Sequence, residues 1–277
     1  MNRARRLLVV EDDAEVTDLL GLYLGDRGYQ VEGVHTGEEA LARALETFPH
    51  AILLDITLPD IDGFEVCSRL RRQPRTAHIP IMFLTKRDKR SERLAGLRIG
   101  ADDYITKPFD LEELSLRIRN LIARVERENL VDPMTGLPGE KLAREYMDRA
   151  RRLPHRVVLR LCLRHAEAFR EVYGPLAFGD VRVYLAHLIL SAVNADGRPQ
   201  DFVGALGQEC FVVICAPGAA SAIGERVTSR FNTAAGKHYT EADRVRGYVE
   251  VGGVRSPIMH LDFTIIAGED APAAPQP

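Results

Sequence analysis

Five polar residues in the first half of the chain have the types needed for phosphoryl transfer: Glu11 and Asp12, then Asp55, Thr85 and Lys107. Three carboxylates can hold a hard divalent cation such as Mg2+ through oxygen, while an ammonium and a hydroxyl neutralise and orient phosphoryl oxygens. In such a site Asp55 is the nucleophile.

The elements that must position them are legible nearby. "RLLVVE", "YQVEGV", "HAILLD", "IPIMFL" and "DDYIT" are short apolar, β-branched runs separated by amphipathic stretches of helical length. That alternation predicts a five-stranded parallel sheet covered on both faces, which gathers ligands at the carboxyl ends of its strands. Glu11 and Asp12 end the first strand, Asp55 the third and Thr85 the fourth, and the fifth runs to Lys107-Pro108.

At 277 residues the chain has the length of two domains. The net charge of −3 gives no general pull toward DNA or anionic lipid, and no winged-helix pattern follows the first domain, so neither DNA nor membrane is expected as a partner. Apolar runs such as "IPIMFL" fall far short of the roughly 20 residues of a membrane span, and the N-terminus turns acidic too soon for a signal peptide, so a cytoplasmic protein is expected. Cys67, Cys162, Cys210 and Cys215 lie in or beside apolar segments without a C-x-x-C pair, which points to reduced thiols rather than disulfides or zinc.

Residues 4 to about 124 resemble a response-regulator receiver domain of flavodoxin-like fold. The separations carry the resemblance: 43 residues from Asp12 to Asp55, 30 from Asp55 to Thr85 and 52 from Asp55 to Lys107. The resemblance implies that Glu11, Asp12, Asp55 and the Thr57 carbonyl bind Mg2+. It also implies that Asp55 takes phosphate from a sensor histidine kinase, that Thr85 and Lys107 hold the phosphoryl oxygens, and that Tyr104 is the aromatic switch. Lys107-Pro108 resembles the family's cis peptide. Lys86 departs from the small residue usual after the threonine and bears on phosphoryl lifetime. Arg93, Asp103, Glu113 and Arg117 sit where one branch of receivers places the ion pairs of a homodimer; as solvated helix charges they would contribute almost nothing.

The last receiver helix keeps Leu114, Ile118, Leu121, Ile122 and Val125 near one face until "VDPMTGLPG" stops it. The expected layout is a receiver over 1–124, a helical connector and opening loop over 125–139, a second domain over 140–267 and a disordered tail over 268–277. "DPMTGLPG" resembles the opening of GGDEF domains, the diguanylate cyclases. "RVVLRLCL", "AFREVYG", "FGD" and "DFVGALGQECFVVI" continue the resemblance, which implies an α+β fold with a mostly antiparallel sheet.

Gly207, Gln208, Glu209, Cys210 and Phe211 stand in place of G-G-D-E-F. The family holds its catalytic metals with the glutamate of that motif and an aspartate ending the first strand; here those positions are Cys210 and, aligned through Phe169, Cys162. Thiols are soft ligands that hold Mg2+ poorly, so no cyclase activity is expected. Arg198 and Asp201 match the family's R-x-x-D inhibitory site, five residues before the motif. An arginine fork and a carboxylate suit the edge of guanine. Two outputs stay open: a phosphorylation-controlled receptor for cyclic di-GMP, or a nucleotide-free docking module for an unknown downstream protein.

Overall fold

The computed structural model describes residues 4–85, 99–153 and 155–266. Lys86, Arg93 and the 268–277 tail lie outside them. The chain divides into two compact units, Met1–Gly136 and Leu137–Pro277.

In the first unit β1 (Arg5–Val10), β2 (Tyr29–Val34), β3 (Ala51–Asp55), β4 (Ile81–Thr85) and β5 (Asp103–Thr106) form one parallel sheet in the order β2-β1-β3-β4-β5. Strands β3 and β4 are buried along their whole length, as continuous apolar runs with helices on both faces must be. One face packs Leu8, Ile52, Leu54 and Phe83 with Val66 and Leu70; the other packs Leu7, Leu53 and Leu84 with Leu114 and Ile118. The helices start on side-chain caps: Asp13, Thr36, Asp62 and Asp110 each accept a first-turn backbone N–H.

The helix Leu111–Arg127 buries the five apolar residues of its predicted face. Arg5 forks onto its Glu126 at 3.0 and 2.7 Å. The loop after it is anchored on the same unit: Arg6 Nη2 donates to the Thr135 carbonyl at 2.9 Å, and the His50 and His78 rings meet the Pro133 and Gly136 carbonyls at 3.2 and 3.0 Å. The division between the two compact units falls after Gly136, inside the segment 125–139.

The second unit is α+β. Strands β6 (Val157–Arg164), β7 (Phe202–Leu206), β8 (Cys210–Cys215) and β11 (His260–Ile266) form an antiparallel sheet in the order β11-β6-β8-β7, and β9 (Tyr248–Val251) pairs with β10 (Val254–Pro257). The helix Ala166–Asp196 breaks its geometry at Gly174 (φ +83°) before Pro175. By length and composition it could cross a membrane, which inspection of short apolar runs did not anticipate. Phe169, Val181, Leu185 and Ile189 on it are buried within the unit.

One cysteine expectation is corrected. Cys162 and Cys210 face each other across β6 and β8 and form a disulfide; Cys67 and Cys215 are free and buried. A sheet register joining residues 48 apart creates this contact, and no short-range pattern announces it.

Candidate phosphoryl-acceptor site

Glu11 follows β1, Asp55 ends β3, Thr85 ends β4 and Lys107 follows β5, so the parallel sheet delivers all four to one edge. Lys107 Nζ donates to Asp55 Oδ2 at 2.6 Å and to Glu11 Oε2. Glu11 is fully buried and Asp55 is 4% exposed, whereas Asp12 is exposed. Burial raises the Glu11 pKa, with a further push from the Asp55 charge, against the lowering by Lys107. Burial alone would lower the Lys107 pKa, but its bonds to Asp55 and Glu11 outweigh that and raise it.

The carboxylates of Glu11, Asp12 and Asp55 offer oxygens within 4.8 Å of one another. Glu11 Oε1 is buried and finds no hydrogen-bond partner among the described residues. A buried anionic oxygen without a donor is costly alone and suits a cation ligand, so this donor set fits Mg2+. Asp55 Oδ1 accepts from the Thr57 N–H at 3.1 Å, which fixes the carboxylate's orientation. Behind it Gly63 starts a helix with its N–H on the Ile56 carbonyl at 2.8 Å; a Cβ there would lie 2.2 Å from the Asp55 carbonyl oxygen. The Lys107-Pro108 peptide is cis.

Tyr104 packs against the Phe83 face of the core. Arg117 engages Asp103 at 3.2 Å and Glu113 at 2.8 Å within one chain.

The second unit distributes its candidate residues differently. Gly207 takes the left-handed conformation (φ +70°) in the β7–β8 turn, Gln208 Oε1 accepts from Arg170, and the Glu209 carbonyl accepts from the Leu163 N–H at 2.9 Å. Phe211 is core, with the Arg182 guanidinium 5.5 Å from its ring centre. Arg198 is exposed, but Asp201 is wholly buried: Oδ2 accepts the Arg198 backbone N–H at 2.7 Å and Oδ1 pairs with Arg156. The two residues of R-x-x-D are thus not presented together as a ligand edge. Sequence reasoning missed the Arg156 partner, the orphaned Glu11 oxygen and the disulfide.

The response regulator receiver domain family matches residues 7–119. Two full-length relatives extend the similarity. RpaA of Synechocystis sp., described as a DNA-binding dual master transcriptional regulator, is 36% identical over 216 residues, covering 70% of this chain and 89% of that protein. The response regulator MprA of Mycobacterium tuberculosis is 37% identical over 218 residues, covering 70% and 91%. A crystal structure of a putative response regulator from Chloroflexus aurantiacus is 41% identical, with TM-score 0.42, covering 44% of this chain and 99% of that one. The chain belongs to the response regulator family.

The expected exclusion of DNA is overturned by the similarity to RpaA, which extends beyond the receiver. A net charge of −3 sums the whole chain, whereas phosphate contacts depend on a local surface, so the charge could not decide the question.

Proposed function

We propose that this response regulator accepts a phosphoryl group on Asp55 from a sensor histidine kinase. The phosphohistidine N–P bond breaks as an Asp55 carboxylate oxygen forms the new O–P bond. The contact from Lys107 to Asp55 carries the proposal: it holds a cation where phosphoryl charge arrives. Mg2+, held by Glu11, Asp12, Asp55 and the Thr57 carbonyl, would supply further charge neutralisation. Thr85 offers its hydroxyl to a phosphoryl oxygen, Tyr104 follows its position, and Asp103, Glu113 and Arg117 serve receiver pairing. Labelling by acetyl phosphate that requires Mg2+ and Asp55 tests the proposal.

For the second unit we infer a degenerate GGDEF-like module without cyclase activity, serving as a phosphorylation-switched docking surface. Cys162 and Cys210, at the two metal positions, are bonded to each other and present no anionic ligand. Burial of Asp201 weighs against a cyclic di-GMP receptor at Arg198 and Asp201. Incubation with GTP and Mg2+ should yield no cyclic di-GMP, and calorimetry with cyclic di-GMP should show no saturation at tens of micromolar; saturable binding lost in Arg198→Ala would restore the receptor. A second reading, DNA binding, is favoured by the similarity to RpaA. Salt-dependent retention of duplex DNA by phosphorylated protein would support it.

A further inference from the structure

Two of the four cysteines are bonded at an accessible place, and the other two are sealed. Cys162 and Cys210 are direct cross-strand partners with Cα atoms 4.2 Å apart. The adjacent bond from the Leu163 N–H to the Glu209 carbonyl puts them at a non-hydrogen-bonded position, where opposing side chains lie closest. Along β6 the buried Leu161 and Leu163 alternate with Arg160, Cys162 and Arg164, so the bridge lies on the outward face. It lines a cleft of about 270 Å³ with Arg160, Arg164, Glu209 and Asp262. Arg164 is paired with Asp262 at 3.0 Å, while Arg160 Nη2 points at Cys210 Sγ from 3.7 Å. Cys67 and Cys215 are fully buried, and burial pushes the Cys215 thiol up to about 11.

We propose that Cys162–Cys210 is a reversible thiol–disulfide exchange site for a low-molecular-weight thiol, with Cys162 as the sulfur attacked and Cys210 as the leaving group. An incoming thiolate forms a disulfide with Cys162 Sγ as the Cys162–Cys210 bond breaks, and the electron pair leaves on Cys210 Sγ. The Arg160 cation lies beside the sulfur that acquires this charge, and a stabilised thiolate leaves faster. A second thiolate attacks the small-molecule sulfur of the mixed disulfide and frees Cys162. Two small thiols become one small disulfide, and the protein gains two thiols, taking their protons from water. The reverse reaction consumes the small disulfide and closes the bridge. The exchange opens or locks β6 against β8 at the motif that departs from G-G-D-E-F.

The test uses the full chain without denaturant. Reduced glutathione is added, thiols are trapped with iodoacetamide, and peptides are mapped by mass. The expected result is label on Cys162 and Cys210 alone, reclosure by oxidised glutathione, and an acid-quenched intermediate carrying glutathione on Cys162. Arg160→Gln should slow opening at least threefold and shift the pH profile of Cys210 alkylation upward. A bridge that opens only in urea, a reduced pair that oxidised glutathione cannot close, or label reaching Cys67 and Cys215 as fast would overturn the proposal. Glutathione trapped on Cys210 with no effect of Arg160→Gln would overturn the assigned direction of attack.

Discussion

Lys107 Nζ lies 2.6 Å from Asp55 Oδ2 and also contacts Glu11, so one partly buried cation joins two buried carboxylates at the ends of neighbouring strands. Its removal leaves two buried carboxylates facing each other without compensation. Lys107→Met should lower the rate of acetyl-phosphate labelling at least tenfold, on the order of 1.4 kcal/mol or more of lost transition-state stabilisation. The same variant should recover thermal stability when Mg2+ is added, because the metal replaces part of the missing charge. Labelling rates and melting curves with and without Mg2+ check both effects.

Gly63 places backbone where a side chain would meet the carbonyl of Asp55. Gly63→Ala must displace the helix start or the strand end. It should cost about 1–3 kcal/mol in urea unfolding, the usual range for overpacking, and also reduce labelling of Asp55. A variant with wild-type stability and labelling would mean that the backbone yields freely there.

His50 is 3% exposed; its Nδ1 accepts the Arg6 N–H at 3.1 Å, and Nε2–H is left to donate to the Pro133 carbonyl. Burial, helped by the Arg6 charge, lowers its pKa to about 4. The unfolded chain takes up this proton near 6.5 while the folded one resists until about 4, so stability falls as pH is lowered through that window. The loss approaches about 3 kcal/mol at the acid end. His50→Asn, which keeps an acceptor for Arg6, should flatten the dependence relative to wild type between pH 6.5 and 4. Unfolding free energies measured across that range decide it.

Sequence legibility followed the range of the signals. The parallel sheet and the convergence of Glu11, Asp55, Thr85 and Lys107 were readable because each strand is a short apolar run whose polar residue stands at its end. The caps Asp13, Thr36, Asp62 and Asp110 are equally local. What escaped depends on contacts between distant segments: Arg156 reaching Asp201, and Cys162 meeting Cys210 through strand register. The R-x-x-D spacing described the turn correctly, yet the carboxylate turned inward because the partly buried Arg156 and the turn's own N–H claim it. Such burial has no periodicity to read.

Asp201 accordingly behaves as a structural residue. Asp201→Ala strands the partly buried Arg156 and removes a turn acceptor, so it should cost about 2–4 kcal/mol, whereas the exposed Arg198→Ala should stay within about 0.5 kcal/mol. Urea unfolding of the two variants checks the contrast. Equal, small losses would mean that Asp201 is available for other partners.

The most direct measurement of the central claim is phosphoryl incorporation into purified protein from acetyl phosphate with Mg2+, comparing wild type with Asp55→Asn and locating the label by mass. The account predicts one phosphoryl group per chain on Asp55, lost on chelating the metal and absent from Asp55→Asn. Undiminished, Mg2+-dependent incorporation into Asp55→Asn would contradict it and move the acceptor to another residue.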